Sequence, residues 1–392
     1  MELQVGAKTL PKNKEAQKQN LRTWIEINQQ ALKNNHNVFR RLIGPKCLLM
    51  SVVKSNAYGH DLIDFTRAAE NFGVDWFGVD SIVEAESLRK AGLRKPVLVL
   101  GHTLQNRVEA AAKNRISLTV ADFSALKNLK NIKQRGAKLK IHLKVDTGMH
   151  RQGFFVSELP AVIKILKSQS AAALEGVYTH FASAKNPAFP AETLNQIEEF
   201  KKAVDIFESA GFSGFIKHAA ATAGTIIFPQ SHFDLVRVGI GLYGLWPSKE
   251  TRAAFKDKMK LKPVLAWKTI VGQIKNFPKG SKIGYDLTEI LGRPSRVAIL
   301  PIGYWHGFPR SLSGIGKVLI GGHEAKVLGR VSMDMISVDV TNVRNVKIGD
   351  EAVLIGKQGK LEISVDELAY LSDTINYEIT TRLNPLIKRI MV

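Results

Sequence analysis

Between about residue 46 and residue 240 the chain alternates short apolar runs with amphipathic stretches, and this pattern narrows the possible folds most sharply. The apolar runs fall at 47–53, 75–79, 97–101, 116–120, 139–145, 174–180, 215–220 and 234–238. Between most of them lie stretches that are apolar at helical spacing, such as Ile82 to Leu88 and the set Leu194, Ile197, Phe200, Val204 and Phe207. A strand that reads as a continuous apolar run is buried on both faces, and consecutive strands joined by helices run parallel. Eight such units predict an α/β fold with an N-terminal (β/α)8 TIM barrel, eight being the number that closes. The open doubly wound sheet is the main competitor, but no G-x-G-x-x-G follows the first run.

Beyond about residue 260 the texture changes to short β-branched runs separated by Gly, Pro and Asn: Thr269 to Val271, Arg296 to Pro301, Lys317 to Ile320 and Met335 to Val340. These predict a C-terminal, mostly antiparallel β domain. One helix is expected over Val365 to Ser372, with Ser364 as its cap and Glu367 three residues on. The expected organisation is a basic N-terminal extension over 1–22, the barrel over 23–260 and the β domain over 261–392. A first strand at about 23–28 is a candidate to pair with the β domain. At 392 residues there is room for both cores. The single cysteine, Cys47, rules out an intrachain disulfide and suits a reducing compartment. No apolar stretch approaches a membrane span, and the first 22 residues lack the apolar core of a secretory signal. The net charge of +21 is spread along the chain without a dense tract or interleaved aromatics, which speaks for a solvated basic surface rather than nucleic-acid binding. It would also favour anionic ligands by steering.

In a barrel of this kind, chemistry gathers at the C-terminal ends of the strands. Lys54 follows the first run, with Asn56 and Tyr58 behind it. An amine at the end of a buried strand is expected to be desolvated, which makes it a nucleophile suited to Schiff-base chemistry. The fifth run ends in Lys144-Val-Asp-Thr-Gly-Met-His-Arg151, the sixth in Tyr178-Thr-His180, the seventh in His218-Ala-Ala-Ala-Thr222, and the eighth carries Arg237-Val-Gly-Ile240. An amine, several cations and a glycine-containing turn thus converge where an anionic cofactor would lie.

The segment Val52-Val-Lys-Ser-Asn-Ala-Tyr-Gly-His60 resembles the pyridoxal-phosphate attachment signature of the alanine racemases. The resemblance continues in order through Lys144-Val-Asp-Thr-Gly-Met149, Tyr178-Thr-His-Phe-Ala182, Arg237-Val-Gly-Ile240, Gly329-Arg-Val-Ser-Met-Asp334 and Ile375-Asn-Tyr-Glu378. It implies pyridoxal 5'-phosphate as cofactor and a free amino acid as substrate, racemised by one base on each face of a Schiff base with the cofactor. By resemblance Lys54 is one catalytic base and the cofactor's attachment point, and Tyr285 is the other, reaching the site of a neighbouring subunit. Arg237 matches the family's arginine against the pyridine nitrogen. Gly239 and Ile240 match the backbone donors to the phosphate, with Thr222, Tyr58 and Tyr377 beside them, while His180 and His218 line the ring. Arg151 and the Met333 N–H match the holders of the substrate carboxylate. Lys144 matches a position carbamylated in some members. No metal is implied.

The resemblance further implies a homodimer with composite sites and a bacterial cytoplasmic enzyme supplying D-alanine for peptidoglycan, with no nucleic-acid or membrane partner. Departures are His150 where Gly is common, Ala220-Ala221 ahead of Thr222, and the Gly284-Tyr285-Asp286 context. The related decarboxylases usually place a second-domain cysteine in the site, which this chain lacks. A non-catalytic pyridoxal-phosphate carrier would lack the second domain. A broad-specificity racemase is the alternative to an alanine racemase.

Overall fold

The computed structural model describes residues 20–131 and 138–392; most of the expected N-terminal extension lies outside the described residues. The chain divides into two compact units, one spanning Gln29–Val264 and the other joining the described residues up to Asn28 to Leu265–Val392.

Strand β1 (Thr23–Ile27) belongs to the second of these units. The Gln29–Val264 unit is built on β2 (Leu48–Val52), β3 (Trp76–Val79), β4 (Val97–Val99), β5 (Ser117–Val120), β6 (Leu139–Lys144), β7 (Ala172–Tyr178), β8 (Ile216–His218) and β9 (Leu235–Val238). Neighbouring strands pair in parallel from β2 through to β8, and β9 pairs with β2 in the register Met50↔Arg237. The remaining seam, between β8 and β9, is joined by Asp234 N–H to the Lys217 carbonyl at 3.0 Å and Arg237 N–H to the Ala220 carbonyl at 2.9 Å. The ring is therefore the eight-stranded parallel barrel that the apolar runs predicted. Every residue of β3 and β4 is buried, as strands covered on both faces require.

A helix fills each of the seven crossovers, from Leu62–Asn71 to Thr222–Ile227. The longest, Ala191–Ser209, buries Ile197, Phe200, Val204 and Phe207, its predicted apolar face. Met50, Trp76, Leu98 and Leu235 pack together as part of the barrel core.

The other unit is a mixed but mostly antiparallel sheet. Its strands are β1 with β10 (Leu265–Ile270), β11 (Gln273–Phe277), β14 (Ser295–Leu300), β15 (Lys317–Ile320), β16 (His323–Leu328), β17 (Ile336–Asp339), β18 (Glu351–Gln358), β19 (Leu361–Ile363) and β20 (Lys388–Met391). The short pair β12 (Lys282–Ile283) and β13 (Glu289–Ile290) stands apart as a hairpin. The path runs β11-β14-β17-β16-β15-β18-β10-β1-β20, with β1 antiparallel to β10 and parallel to β20. The helix Val365–Leu371 is present, and Ser364 Oγ accepts from Glu367 N–H at 3.0 Å as its cap.

Candidate active site

Lys54 stands where β2 ends and the backbone changes hand. Val53 N–H still bonds across to the Gly78 carbonyl at 2.8 Å, and then Ser55, Asn56, Ala57 and Tyr58 take φ of 56, 55, 50 and 52°. For L-residues this left-handed conformation costs roughly 1–2 kcal/mol each, so a run of four is a store of strain that its surroundings must hold. Ala57 N–H bonds to the Val53 carbonyl at 2.8 Å and Gly59 N–H to Ser55 at 3.1 Å. Ser55 N–H donates to Glu84 Oε1 at 2.6 Å, and Leu62 N–H to Asn56 Oδ1 at 2.8 Å.

Glu84 has a second task. With Ser81 it forms the capping box of the helix Ile82–Lys90, its Oε2 accepting from Ser81 N–H and Asp80 N–H. One carboxylate thus starts a helix and fixes the turn that presents Lys54.

The Lys54 ammonium lies 3.4 Å from Asp80 Oδ1, and its side chain is 38% exposed. This corrects the expected desolvation: Lys54 faces an open mouth and is paired. The buried lysine of this mouth is Lys144. Its ammonium donates to the Gln152 carbonyl at 3.1 Å and lies 5.7 Å from the centre of the Tyr178 ring. Burial, followed by the nearby Arg237 charge, pushes its pKa down to about 8.

Arg237 is central to the barrel's polar interior. Its Nη1 donates to His218 Nδ1 at 2.8 Å, and its Nη2 reaches the Thr179 and Ala219 carbonyls at 2.8 Å each and His180 Nδ1 at 3.2 Å. These partners are all neutral. Its guanidinium also lies over the Tyr178 ring at 5.1 Å, and that ring stacks on His218 at 4.7 Å. Burial pushes Arg237 down to about 10, which leaves it a cation at neutral pH. Burial and then the Arg237 charge hold His180 at about 3 and His218 well below its ordinary value, so both rings are neutral acceptors.

The turn after β9 forms a cradle with Thr222. The buried Thr222 Oγ1 accepts from Gly239 N–H at 3.2 Å and Gly241 N–H at 3.4 Å, leaving its own hydroxyl hydrogen to donate. A Cβ on Gly239 would stand 2.6 Å from Tyr58 Oη, so only glycine lets the tyrosine approach. Burial raises Tyr58 to about 12, keeping it a neutral donor. The Ile240 side chain is buried, so its contribution to any ligand is through the backbone.

Arg151 is exposed on the loop after β6. Asp146 shapes that loop, its Oδ1 accepting from Gly148, Met149 and His150 N–H and its Oδ2 from Arg151 N–H. Burial would raise the Asp146 pKa, but these bonds outweigh it and hold the carboxyl below its usual range. His150 has φ of 54°, which explains why glycine suits this position.

In the sheet unit, Tyr285 follows Gly284 (φ 78°) and is 70% exposed. Met333 is 53% exposed, its carbonyl accepting from Trp305 N–H at 3.0 Å. Tyr377 sits on the helix Asn376–Thr381. The barrel mouth thus gathers Lys54, Tyr58, His180, His218, Thr222, Arg237, Gly239 and Ile240, while Tyr285, Met333 and Tyr377 belong to the other unit.

Sequence reasoning missed Asp80, Glu84 and Asp146. The Ser81-Ile-Val-Glu84 spacing directly after the second run is a capping-box signal that points to Glu84. It also missed His142, whose place between Lys140 and Lys144 marks one polar face of an otherwise buried strand.

These groups suit a ligand with an anionic end and a ring nitrogen. The Thr222 hydroxyl, the backbone of the Gly239 turn and Tyr58 supply donors, and Arg237 retains an Nε–H for which no protein acceptor is found among the described residues. Lys54 offers an amine at the same mouth. Among the described residues no group of three or more His, Cys, Asp or Glu could hold a metal ion.

Comparison with known proteins points the same way. Residues 27–247 match the model of the alanine racemase N-terminal domain, and residues 264–391 that of the C-terminal domain. The chain is 36% identical over 378 residues to the alanine racemase of Leptospira interrogans, covering 94% of this chain and 96% of the relative. It is 38% identical to that of Halothermothrix orenii, covering 94% and 96%. Among solved structures it resembles the Bacillus anthracis alanine racemase with bound L-Ala-P, with a TM-score of 0.89 at 34% identity and 95% of each chain covered. It also resembles the Clostridium difficile enzyme in complex with cycloserine, with a TM-score of 0.87 at 31% identity, covering 95% of this chain and 96% of that one.

Proposed function

The chain belongs to the alanine racemase family, and from that premise we propose that it interconverts L-alanine and D-alanine by two-base proton transfer, with pyridoxal 5'-phosphate as cofactor. The observation that carries the reading is the composition of the barrel mouth. A lysine, a buried arginine with a spare N–H and a hydroxyl–glycine–tyrosine cradle stand at the C-terminal ends of adjoining strands.

In this reading Lys54 Nζ holds the cofactor's aldehyde carbon. The Gly239 and Ile240 backbone, the Thr222 hydroxyl, Tyr58 and Tyr377 hold its phosphate, and His180 and His218 lie beside its ring. When bound, the cofactor supplies a conjugated ring that takes up the electron pair left as the substrate's α-proton departs. Arg237 keeps its own proton, so its Nε–H donates to the pyridine nitrogen and leaves that nitrogen unprotonated. This weakens the electron sink and favours return of the proton over side reactions. Arg151 and the Met333 N–H hold the substrate carboxylate.

Once the substrate's amine takes its place on the aldehyde carbon, the freed Lys54 Nζ would exchange a proton on one face of the α-carbon, and Tyr285 Oη of a second copy would exchange one on the other. The exposure of Tyr285 supports a role outside its own chain, since a large aromatic left 70% exposed is a natural contact for a partner. A homodimer with two composite sites follows. Among the described residues no helix is long and apolar enough to cross a membrane. We assign the reaction to the cytoplasm and its D-alanine to peptidoglycan supply, the family's usual role.

The attachment test is Lys54→Ala. The cofactor-loaded variant is expected to lose the near-visible absorbance of lysine-bound cofactor; its persistence would remove Lys54 from this role.

A further inference from the structure

Arg237 is a buried cation whose hydrogen-bond partners are all neutral, and the barrel interior offers one route from it to a carboxylate. His218 Nε2 lies 2.8 Å from His142 Nδ1, and His142 Nε2 lies 3.3 Å from Glu175 Oε2. With Arg237 Nη1 at 2.8 Å from His218 Nδ1, four side chains from β9, β8, β6 and β7 form an unbroken line.

Counting hydrogens fixes the direction of this line. A guanidinium only donates, so His218 Nδ1 must present its lone pair to Arg237. In a neutral imidazole the proton is then on Nε2, which donates to His142 Nδ1. His142 in turn carries its proton on Nε2 and donates to Glu175. The reverse order would set a His218 N–H against an arginine N–H. Glu175 is an ionised acceptor in every contact it makes: Ser117 Oγ donates to Oε2, and Lys140 Nζ donates to Oε1 at 2.6 Å. Burial would raise its pKa, but its bonds to His142, Lys140 and Ser117 outweigh this and hold it at about 2. Both imidazoles lie below their ordinary values through burial, in keeping with neutral rings.

The local structure is shaped for this line. Ile141 pairs with Leu174 but His142 pairs with Gly176, so Glu175 is the extra residue of a β-bulge, a device that re-aims a side chain. Gly176 leaves room for the His142 ring, since a Cβ there would collide with Nδ1 and stand 2.5 Å from Cε1. Trp76 closes the other side edge-on at 5.4 Å.

We propose that Glu175 is the counter-ion of Arg237, acting through a one-way hydrogen-bond relay by way of His142 and His218, and so is a positioning residue for racemisation. It holds the guanidinium in place without touching it. A carboxylate in direct contact would occupy the N–H that the pyridine nitrogen needs, whereas one set two imidazoles away balances the charge and leaves that N–H available. The role in racemisation rests on the reading that Arg237 faces the cofactor nitrogen; the relay itself does not.

The test therefore has two arms. In the full-length protein with 15N-labelled histidine, NMR is expected to show His142 and His218 both as neutral Nε2–H tautomers, and a Nδ1–H tautomer at either ring would overturn the relay. This arm needs no variant and no activity. In Glu175→Gln, the His142 Nε2–H proton is expected to move upfield as its acceptor loses charge. The racemase kcat is expected to fall about tenfold in both directions with little change in KM, the scale on which partners that orient a reactive group act. An unchanged kcat beside a shifted His142 proton would remove Glu175 from the reaction but leave the relay. No racemisation by the wild type, with the predicted tautomers present, would overturn the functional reading instead.

Discussion

Lys144 shows how much chemistry a single position sets. Its folded pKa of about 8 lies below the ordinary 10.5, so between those values the unfolded chain binds more protons than the folded one. The cost of burying the ammonium is therefore full below about pH 8, and stability gained from this residue rises as pH climbs toward 10.5. Lys144→Met is predicted to melt higher than wild type at pH 7, by the equivalent of about 1–3 kcal/mol. That advantage should shrink by pH 10, and thermal melts at the two values check it. His150 makes a second, steric prediction. At φ 54° a β-branched side chain is strained and glycine is at ease. His150→Gly should match or exceed wild-type stability, and His150→Val should lose about 1 kcal/mol or more in denaturant unfolding.

At the scale of elements, barrel strands such as β3 and β4 were legible because they are apolar throughout and buried on both faces, whereas β6, β8 and β9 interrupt their apolar runs with the polar side chains that line the interior. Edge strands were less legible. The strand β11, Gln-Ile-Lys-Asn-Phe, is mostly exposed and carries little apolar signal to mark it. Local conformation was hidden more deeply. The left-handed turn after Lys54 contains Ser, Asn, Ala and Tyr, of which only Asn favours that region, and it is held by Glu84 from a different crossover. No reading of adjacent residues reveals such a contact. The Thr222 cradle is legible in type but not in geometry. There Thr222→Ser is predicted to keep cofactor affinity. Thr222→Val leaves the Gly239 and Gly241 N–H groups without their acceptor, at about 1–3 kcal/mol, and should lower both stability and affinity for pyridoxal phosphate in melts and equilibrium titration.

Over the whole molecule, two carboxylates of the barrel unit, the buried Asp146 and the partly buried Glu175, shape its response to acid. Glu175 is held at about 2 and Asp146 below its usual value, so both contribute stability that is present above their unfolded values of 4.5 and 3.8. That contribution is lost as pH falls through the folded values, and melting temperature should drop steeply below about pH 4. Glu175→Gln should flatten this acid limb. The proposed second base, Tyr285, was legible only through family resemblance, because an exposed tyrosine beside a glycine turn has no local mark of catalysis, and its proposed partner surface belongs to another chain. Sedimentation of the cofactor-loaded protein is expected to show a dimer. The most direct measurement of the central claim is racemisation of alanine by the purified, pyridoxal-phosphate-loaded protein, followed from each enantiomer and repeated with Tyr285→Phe. The account predicts that L- and D-alanine reach the same equal mixture, and that the variant still binds cofactor but has lost most of that activity. Failure of the wild type to turn over alanine, or full activity in Tyr285→Phe, would contradict it.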